Sequence, residues 1–370
     1  MSVLATRPHL SQILPPLVLG GAGFSYQTHP DPQSLPVRDV IKRAFDHGMR
    51  AIDTSPYYEP SEQLLGEALS QPEITDHYSR SDYVLMTKVG RIKADQFDYS
   101  PAWVRQSVTR SLQRLRTSYL DVVFCHDIEF VTDEDTIGAV GELLDFVRQG
   151  KVRYIGLSSY RIDVLSRLAT LIRERYGRPV DAIQNWAQMT IQNYRLELEG
   201  LKAFENAGVP CVCNSSPLAI GLLRSGGVPQ GRLGDFHPAP AGLRQAAQET
   251  ADCIGAQGES LAALALRYAL WRAQEASHGG FRVSTIMGIS TIPQLVENLE
   301  TAKKILKPQR GVEGDLANST LDDSQVTKDQ PLFEMAQAVL GEWMNYSFTS
   351  PEKGWSTELK RMVNQESSRL

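Results

Sequence analysis

Short apolar runs of three to five residues recur eight times along the chain, each followed by an amphipathic stretch long enough to make a helix. No other feature limits the possible folds as tightly. The strand-like runs are Leu17–Leu19, Ala51–Asp53, Tyr83–Thr87, Val122–Cys125, Tyr154–Leu157, Ala182–Gln184, Val209–Val212 and Thr285–Met287. Helical spacing marks Leu35–His47, Glu62–Leu69, Pro101–Leu115, Thr136–Arg148, Ile162–Arg175, Leu196–Asn206, Leu261–Ala273 and Pro293–Lys303. Parallel strands covered on both faces read as apolar runs, and the helix after each is the crossover that parallel pairing requires. Eight such units in series predict an α/β fold whose sheet closes into a (β/α)8 TIM barrel. The alternative, an open doubly wound sheet, carries a Gly-x-Gly-x-x-Gly turn after its first strand. Here Gly21 and Gly23 follow the first run, but Tyr26 stands where the last glycine belongs.

Two segments break the rhythm. Ala219–His237 is rich in Gly and Pro and reads as a long loop after the seventh strand, on the face where barrels keep their active-site loops. Pro308–Gln330 is polar and reads as a surface insertion spanning 308–331, with helical spacing returning over Leu332–Trp343 in a C-terminal extension, 332–370. Nothing demands a second domain, so residues 1–370 are expected to form one.

A formal charge of −5 with no basic block gives no basis for nucleic-acid or anionic-membrane binding. The four cysteines, Cys125, Cys211, Cys213 and Cys253, are too sparse for a disulfide framework and lie in or beside apolar segments, so buried free thiols and no metal site are expected. No apolar stretch is long enough to span a bilayer, and the first fifteen residues lack a signal-peptide pattern, so a cytoplasmic protein is expected.

The chemistry sits at the strand ends. Asp53, Lys88 and His126 each finish an otherwise apolar run, and Ser158 and Gln184 finish two more. Burying ionisable groups is costly unless they meet and offset one another. The C-terminal mouth of a barrel is where they would meet. Tyr57 and Tyr58 follow the Asp53 strand. A phenol beside an ammonium is expected to fall below its usual pKa of about 10. A Tyr, Lys, His and Asp together suit proton transfer at a carbinol or carbonyl oxygen, the partner step of hydride transfer.

Asp53-Thr54-Ser55-Pro56-Tyr57-Tyr58, followed by Ser61-Glu62-Gln63-Leu64-Leu65-Gly66, resembles the signature of the aldo-keto reductase superfamily. The resemblance continues from about residue 15 to residue 304 and implies a catalytic tetrad of Asp53, Tyr58, Lys88 and His126. Gly156-Leu157-Ser158-Ser159 and Gln184-Asn185 resemble family segments, which implies that Ser158, Ser159 and Gln184 hold a nicotinamide carboxamide. Ser216-Pro217-Leu218 resembles the motif after the seventh strand and places Ser216 and Leu218 at the cofactor. Gly288 and Ser290, with Gln294, Glu297 and Asn298, resemble the adenosine-binding end.

Two departures matter. Ser215 stands where many members carry a Tyr that stacks on the nicotinamide. No Lys or Arg occurs from Val283 through Ala302, where many members hold the 2′-phosphate of NADP. A phosphate without cationic partners loses charge-assisted hydrogen bonds, so NAD is expected over NADP, with Arg224 and Arg232 on the long loop as the residues able to reverse that preference. Asn214 through Leu218, Gly221-Leu222-Leu223 and His237-Pro238-Ala239 resemble the branch of NAD-dependent D-arabinose 1-dehydrogenases and L-galactose dehydrogenases. That branch oxidises an aldose at C1 to the lactone, feeding ascorbate or erythroascorbate formation. The polar insertion resembles fungal members and favours D-arabinose. Tyr57, Trp186, His237 and Phe24, with Tyr26 beside it, are the expected sugar contacts. An NADP-dependent aldehyde or ketone reductase, and a nucleotide-binding regulatory subunit, remain as alternatives. Oligomeric state is not legible.

Overall fold

The computed structural model describes residues 8–228, 237–308 and 316–348. Eight parallel strands close into a barrel in chain order: β1 (Leu17–Gly20), β2 (Ala51–Asp53), β3 (Val84–Val89), β4 (Leu120–His126), β5 (Val152–Ser158), β6 (Ala182–Trp186), β7 (Cys211–Ser215) and β8 (Arg282–Gly288). Closure is made by β8 pairing with β1 through Leu17↔Thr285 to Gly20↔Gly288. The outer helices are α1 (Val37–Asp46), α2 (Ser61–Leu69), α3 (Pro101–Arg114), α4 (Asp133–Arg148), α5 (Ile162–Tyr176), α6 (Leu201–Asn206), α7 (Ala241–Ala256), α8 (Leu261–Glu275), α9 (Ile292–Ile305) and α10 (Asp323–Leu340). The expected (β/α)8 barrel is the observed fold.

The period of two along each strand decides what faces the axis. Val18, Ala51, Val84, Met86, Val122, Phe124, Tyr154, Ala182, Cys211, Cys213 and Ile286 fill the interior, with Leu10 and Leu14 packed into the same cluster ahead of β1. Counting on by two from these positions reaches Gly20, Asp53, Lys88, His126, Ser158, Gln184, Ser215 and Gly288, one from each strand. The same parity that packs the apolar floor therefore aims eight chosen residues into one upper layer. The intervening residues, such as Ile52, Leu85, Val123 and Leu157, pack outward against the helices.

Several boundaries differ from the sequence reading. The seventh strand runs Cys211–Ser215 rather than Val209–Val212, since Asn214 and Ser215 stay in register with β8 despite their polarity. Helix α7 has no counterpart in the reading: its buried face is mostly Ala246, Ala247, Thr250 and Ala251, too weak an apolar stripe to announce itself. Over its described part, the polar stretch 308–331 is not a surface insertion. Leu316 is buried, Leu306–Lys307 pairs with Thr320–Leu321, and α10 starts at Asp323 and continues through Pro331. Buried Asp329 on α10 takes Arg267 of α8 at 2.6 Å and 2.9 Å, tying that helix into the body. Cys125, Cys211 and Cys213 are buried free thiols, and Cys253 is half-buried and free.

Helix α2 carries the residues after Tyr58 and meets the end of α3 at Gly66. A Cβ there would lie 1.9 Å from the Arg114 carbonyl oxygen and 2.7 Å from Leu115 Cα, both backbone atoms that cannot swing aside. Gly66→Ala is expected to cost about 1–3 kcal/mol of stability by overpacking, read as a lower urea midpoint at unchanged slope.

Candidate active site

The upper layer floors a cavity of about 400 Å³ at the C-terminal mouth of the barrel. Asp53, Tyr57, Tyr58, Lys88, Arg91, His126, Asp127, Ser158, Gln184, Trp186, Ser215, Ser216, Arg224, His237 and Gly288 all contribute to its wall. Residues from seven barrel strands and four loops thus converge although they are scattered over most of the chain.

Lys88 is almost fully buried and gives its three ammonium protons to three acceptors: Asp53 Oδ2 at 2.7 Å, Asp53 Oδ1 at 2.9 Å and the Thr54 carbonyl at 3.0 Å. Gln184 Nε2 adds a further donor to Asp53 Oδ2 at 3.3 Å. The ammonium lies 5.1 Å from the centre of the Tyr58 ring. Its charge is therefore near the phenol but already matched by Asp53. This corrects the expected acid phenol: burial, then the Asp53 and Asp127 carboxylates, raise Tyr58 well above the ordinary phenol value.

His126 meets the Tyr58 ring edge-on at 5.8 Å and the Tyr57 ring at 6.0 Å. Burial pushes its pKa down to about 3, so the imidazole is neutral at physiological pH. Ser55 Oγ accepts the Tyr57 N–H at 3.1 Å and lies 3.2 Å from His126 Nδ1. The Asp127 carboxylate beside Nε2 favours the imidazole hydrogen there, which leaves Nδ1 to accept the Ser55 hydroxyl proton. Asp127 Oδ2 is 3.4 Å from that Nε2 and is also paired with Arg91. Against the penalty of burial, positive charge around it, that of the paired Arg91 guanidinium included, holds the Asp127 carboxyl below its usual value.

The expected cofactor residues divide. Ser158, Gln184, Ser216 and Gly288 line the cavity. Ser159 does not: it is fully buried, its hydroxyl accepts the Arg161 N–H at 2.9 Å, and its carbonyl takes Asn185 Nδ2 at 3.0 Å, so it braces the wall from behind. Leu218 packs against the apolar core outside the cavity wall. Ser290, Gln294, Glu297 and Asn298 sit beyond the central cavity at the start of α9, where the Ser290 N–H and hydroxyl both donate to Gln294 Oε1 at 3.0 Å. Arg224 is exposed at the rim, and Arg232 lies outside the described residues.

The expected sugar contacts divide too. Tyr57 and Trp186 line the cavity, and Trp186 leans on Tyr160 at 4.2 Å. His237 is in the wall, but its Nε2 pairs with the Ala219 carbonyl at 3.0 Å and its Nδ1 accepts the Ala239 N–H at 3.1 Å, so neither nitrogen is left to bond a hydroxyl. Phe24 is fully buried in the outer core, and Tyr26 pairs with Gln33 at 2.6 Å, so neither lines the cavity. Sequence reasoning missed Arg91 and Asp127. It also missed Phe348, which stacks 6.5 Å from Trp186 and donates its N–H to the Tyr160 hydroxyl oxygen at 2.9 Å.

The Aldo/keto reductase family model matches residues 16–310. D-arabinose 1-dehydrogenase of Saccharomyces cerevisiae is 40% identical over 293 residues, covering 78% of this chain and 84% of that protein. L-galactose dehydrogenase of Arabidopsis thaliana is 32% identical over 269 residues, covering 72% and 77%. Among solved structures, glycerol dehydrogenase from Gluconobacter oxydans has the same fold at a TM-score of 0.62 and 21% identity, covering 93% of this chain and 97% of that one. With an eight-stranded barrel, these strand-end residues and a match over most of its length, the chain belongs to the aldo/keto reductase family.

Proposed function

We propose that the chain oxidises an aldose of the D-arabinose or L-galactose type at C1 to the aldonolactone, using NAD. The observation that carries this reading is the convergence of Tyr58, the Lys88–Asp53 pair and a neutral His126 on one cavity. The names of two relatives supply the substrate class. A nicotinamide dinucleotide fits the remaining wall: Gln184 Oε1 is buried with no hydrogen-bond partner, beside the Ser158 hydroxyl, and a carboxamide N–H is the donor that oxygen lacks. The start of α9, with Ser290 and Gln294, suits the adenosine end through helix N-terminal N–H groups. When bound, the nicotinamide supplies the hydride acceptor for the C1 hydrogen. Tyr58 takes the proton of the anomeric hydroxyl as the C1–O double bond forms, and His126 Nε2–H holds that oxygen in line.

The raised Tyr58 pKa sets a sign. Oxidation needs the phenolate, and a phenol raised above its ordinary value keeps its proton to higher pH, so the base form grows with pH. The rate of sugar oxidation is expected to climb through the neutral and mildly alkaline range, while reduction, which uses the phenol, stays level over the same range because the phenol keeps its proton. Paired pH–rate profiles in the two directions check this.

NAD is preferred because no basic side chain stands between Val283 and Ala302 to meet a 2′-phosphate, and each missing charge-assisted hydrogen bond is worth about 1.5–3 kcal/mol. An NAD advantage in kcat/KM of at least about tenfold follows. Arg224 at the cavity rim is the one observation favouring the second reading, an NADP-dependent reductase. A panel of pentoses and hexoses with each nucleotide decides. Turnover of D-arabinose or L-galactose with NAD supports the dehydrogenase. Reduction of simple aldehydes with NADPH and no sugar oxidation overturns it, and tight nucleotide binding with no turnover of any kind favours a regulatory subunit.

A further inference from the structure

Arg91 and Asp127 form a second buried ion pair in the cavity, beside the one the proton step uses. Their side chains are 13% and 6% exposed. Breaking or burying such a pair without compensation is costly, so its presence in a cavity wall calls for a role. The pair is built rather than incidental. Gly90, at φ 102°, turns the chain after β3 where a Cβ would strike the Tyr99 ring, and so delivers Arg91 to the mouth. Arg91 Nε and Nη2 are then anchored on the Lys93 and Ala94 carbonyls at 3.2 Å and 2.8 Å. Its guanidinium lies 4.3 Å from the Tyr57 ring centre, 5.5 Å from Phe97 and 5.9 Å from Phe130. Asp127 adopts the left-handed backbone at φ 57°, an unusual conformation fixed by its N–H to the Ser158 carbonyl at 2.7 Å.

We propose that Arg91 and Asp127 are specificity-determining residues that clamp the sugar hydroxyl next to the carbon being oxidised, and that they select an uncharged 2-hydroxy aldose. Asp127 Oδ2 lies 3.4 Å from His126 Nε2, so a substrate whose reacting oxygen sits on His126 presents its neighbouring oxygen to Asp127. Among the described residues the side-chain hydrogen bonds of Asp127 are made through Oδ2, which leaves Oδ1 as an acceptor for that hydroxyl's proton. The Arg91 guanidinium, with protons beyond those already placed, donates to the same oxygen. The pair is neutral as a unit, and Lys88–Asp53 is neutral too. A lone arginine would draw a sugar phosphate or a uronate, whereas a matched pair gives an anion no net attraction and leaves the second carboxylate to repel it.

This inference rests on the aldose-dehydrogenase reading, and the test separates the two. The wild-type enzyme is assayed with NAD on a parent aldose, its 2-deoxy analogue and the corresponding aldose phosphate, and Asp127→Asn is assayed on the first two. A buried group built to bond a hydroxyl rejects the analogue lacking it, so kcat/KM is expected to fall roughly ten- to a hundredfold from parent to 2-deoxy sugar in the wild type. That ratio is expected to collapse toward unity in Asp127→Asn. Equal wild-type use of parent and 2-deoxy sugar overturns the clamp without touching the dehydrogenase reading, and so does preference for the phosphate. An Asp127→Asn enzyme that loses both substrates equally, with the ratio kept, shows that Asp127 only positions His126. Should the variant not fold, read by loss of nucleotide binding in fluorescence, the wild-type comparison still decides. No turnover of any aldose by the wild type overturns both readings together.

Discussion

Tyr58→Phe is expected to lower kcat by roughly a hundred- to ten-thousandfold in both directions while leaving nucleotide affinity nearly unchanged. The substitution removes one oxygen and keeps the ring, so the edge-on contact with His126 at 5.8 Å and the shape of the cavity survive. The described neighbours are poor substitutes: Asp127, paired with Arg91, is held below the usual carboxylate range and so binds a proton weakly. The Asp53 carboxylate is committed to both of its contacts with Lys88, and His126, pushed down to about 3, is too weak a base at neutral pH to collect a proton from a hydroxyl. Stopped-flow single turnovers, together with nucleotide titration by intrinsic fluorescence, separate the chemical step from binding. Near-normal turnover in the variant would mean that the proton leaves by another route and that the cavity was assigned the wrong acid–base group.

What the sequence made legible, and what it hid, follows from one distinction. A strand writes its orientation into alternate residues, so an ionisable side chain ending an apolar run announces both its burial and its face. Asp53, Lys88 and His126 were readable for that reason, and so was the barrel that gathers them. Pairing is not written locally. The sequence shows that Lys88 and Tyr58 can be neighbours, but not that Asp53 and the Thr54 carbonyl have already taken the ammonium's protons, and this is why the expected acid phenol is instead a weak acid. Arg91 and Asp127 were hidden likewise, one in a short hairpin and the other directly after His126, with their contact made only by the pairing of β3 with β4. Helix α7 was hidden by its small side chains, and the continuation of α10 through Pro331 by a residue that usually marks a helix start. Phe348 lies far from the strand ends in sequence and packs behind the cavity wall on Trp186 and His237, in a segment that Asn345 and Trp343 hydrogen-bond to the chain around Gln192.

Lys88→Met is expected to cost about 3–5 kcal/mol of folding stability, because it leaves Asp53 as a buried charge without its cation. Only the Gln184 amide at 3.3 Å would still face it. The pH dependence has a definite sign. Burial already raises the Asp53 carboxyl above its ordinary value, and Lys88 opposes that rise, so the variant raises it further. A group whose folded pKa exceeds its unfolded one favours the fold at low pH and loses that contribution as pH climbs through the folded value. The stability gap between wild type and variant is therefore expected to be small in acid and to widen toward neutral pH, as read from urea midpoints along a pH series. Turnover should fall as well, with the alkaline limb of the oxidation profile moving upward, since an unopposed Asp53 charge disfavours the Tyr58 phenolate still more. Asp53→Asn combined with Lys88→Met separates the two roles of the pair. Removing both charges should restore most of the stability and bring the alkaline limb back down, yet leave the rate low because the groups that hold Tyr58 and Gln184 in place are gone. A double variant that regains full turnover would reduce the Lys88–Asp53 pair to a structural element and leave Tyr58 and His126 as the working residues.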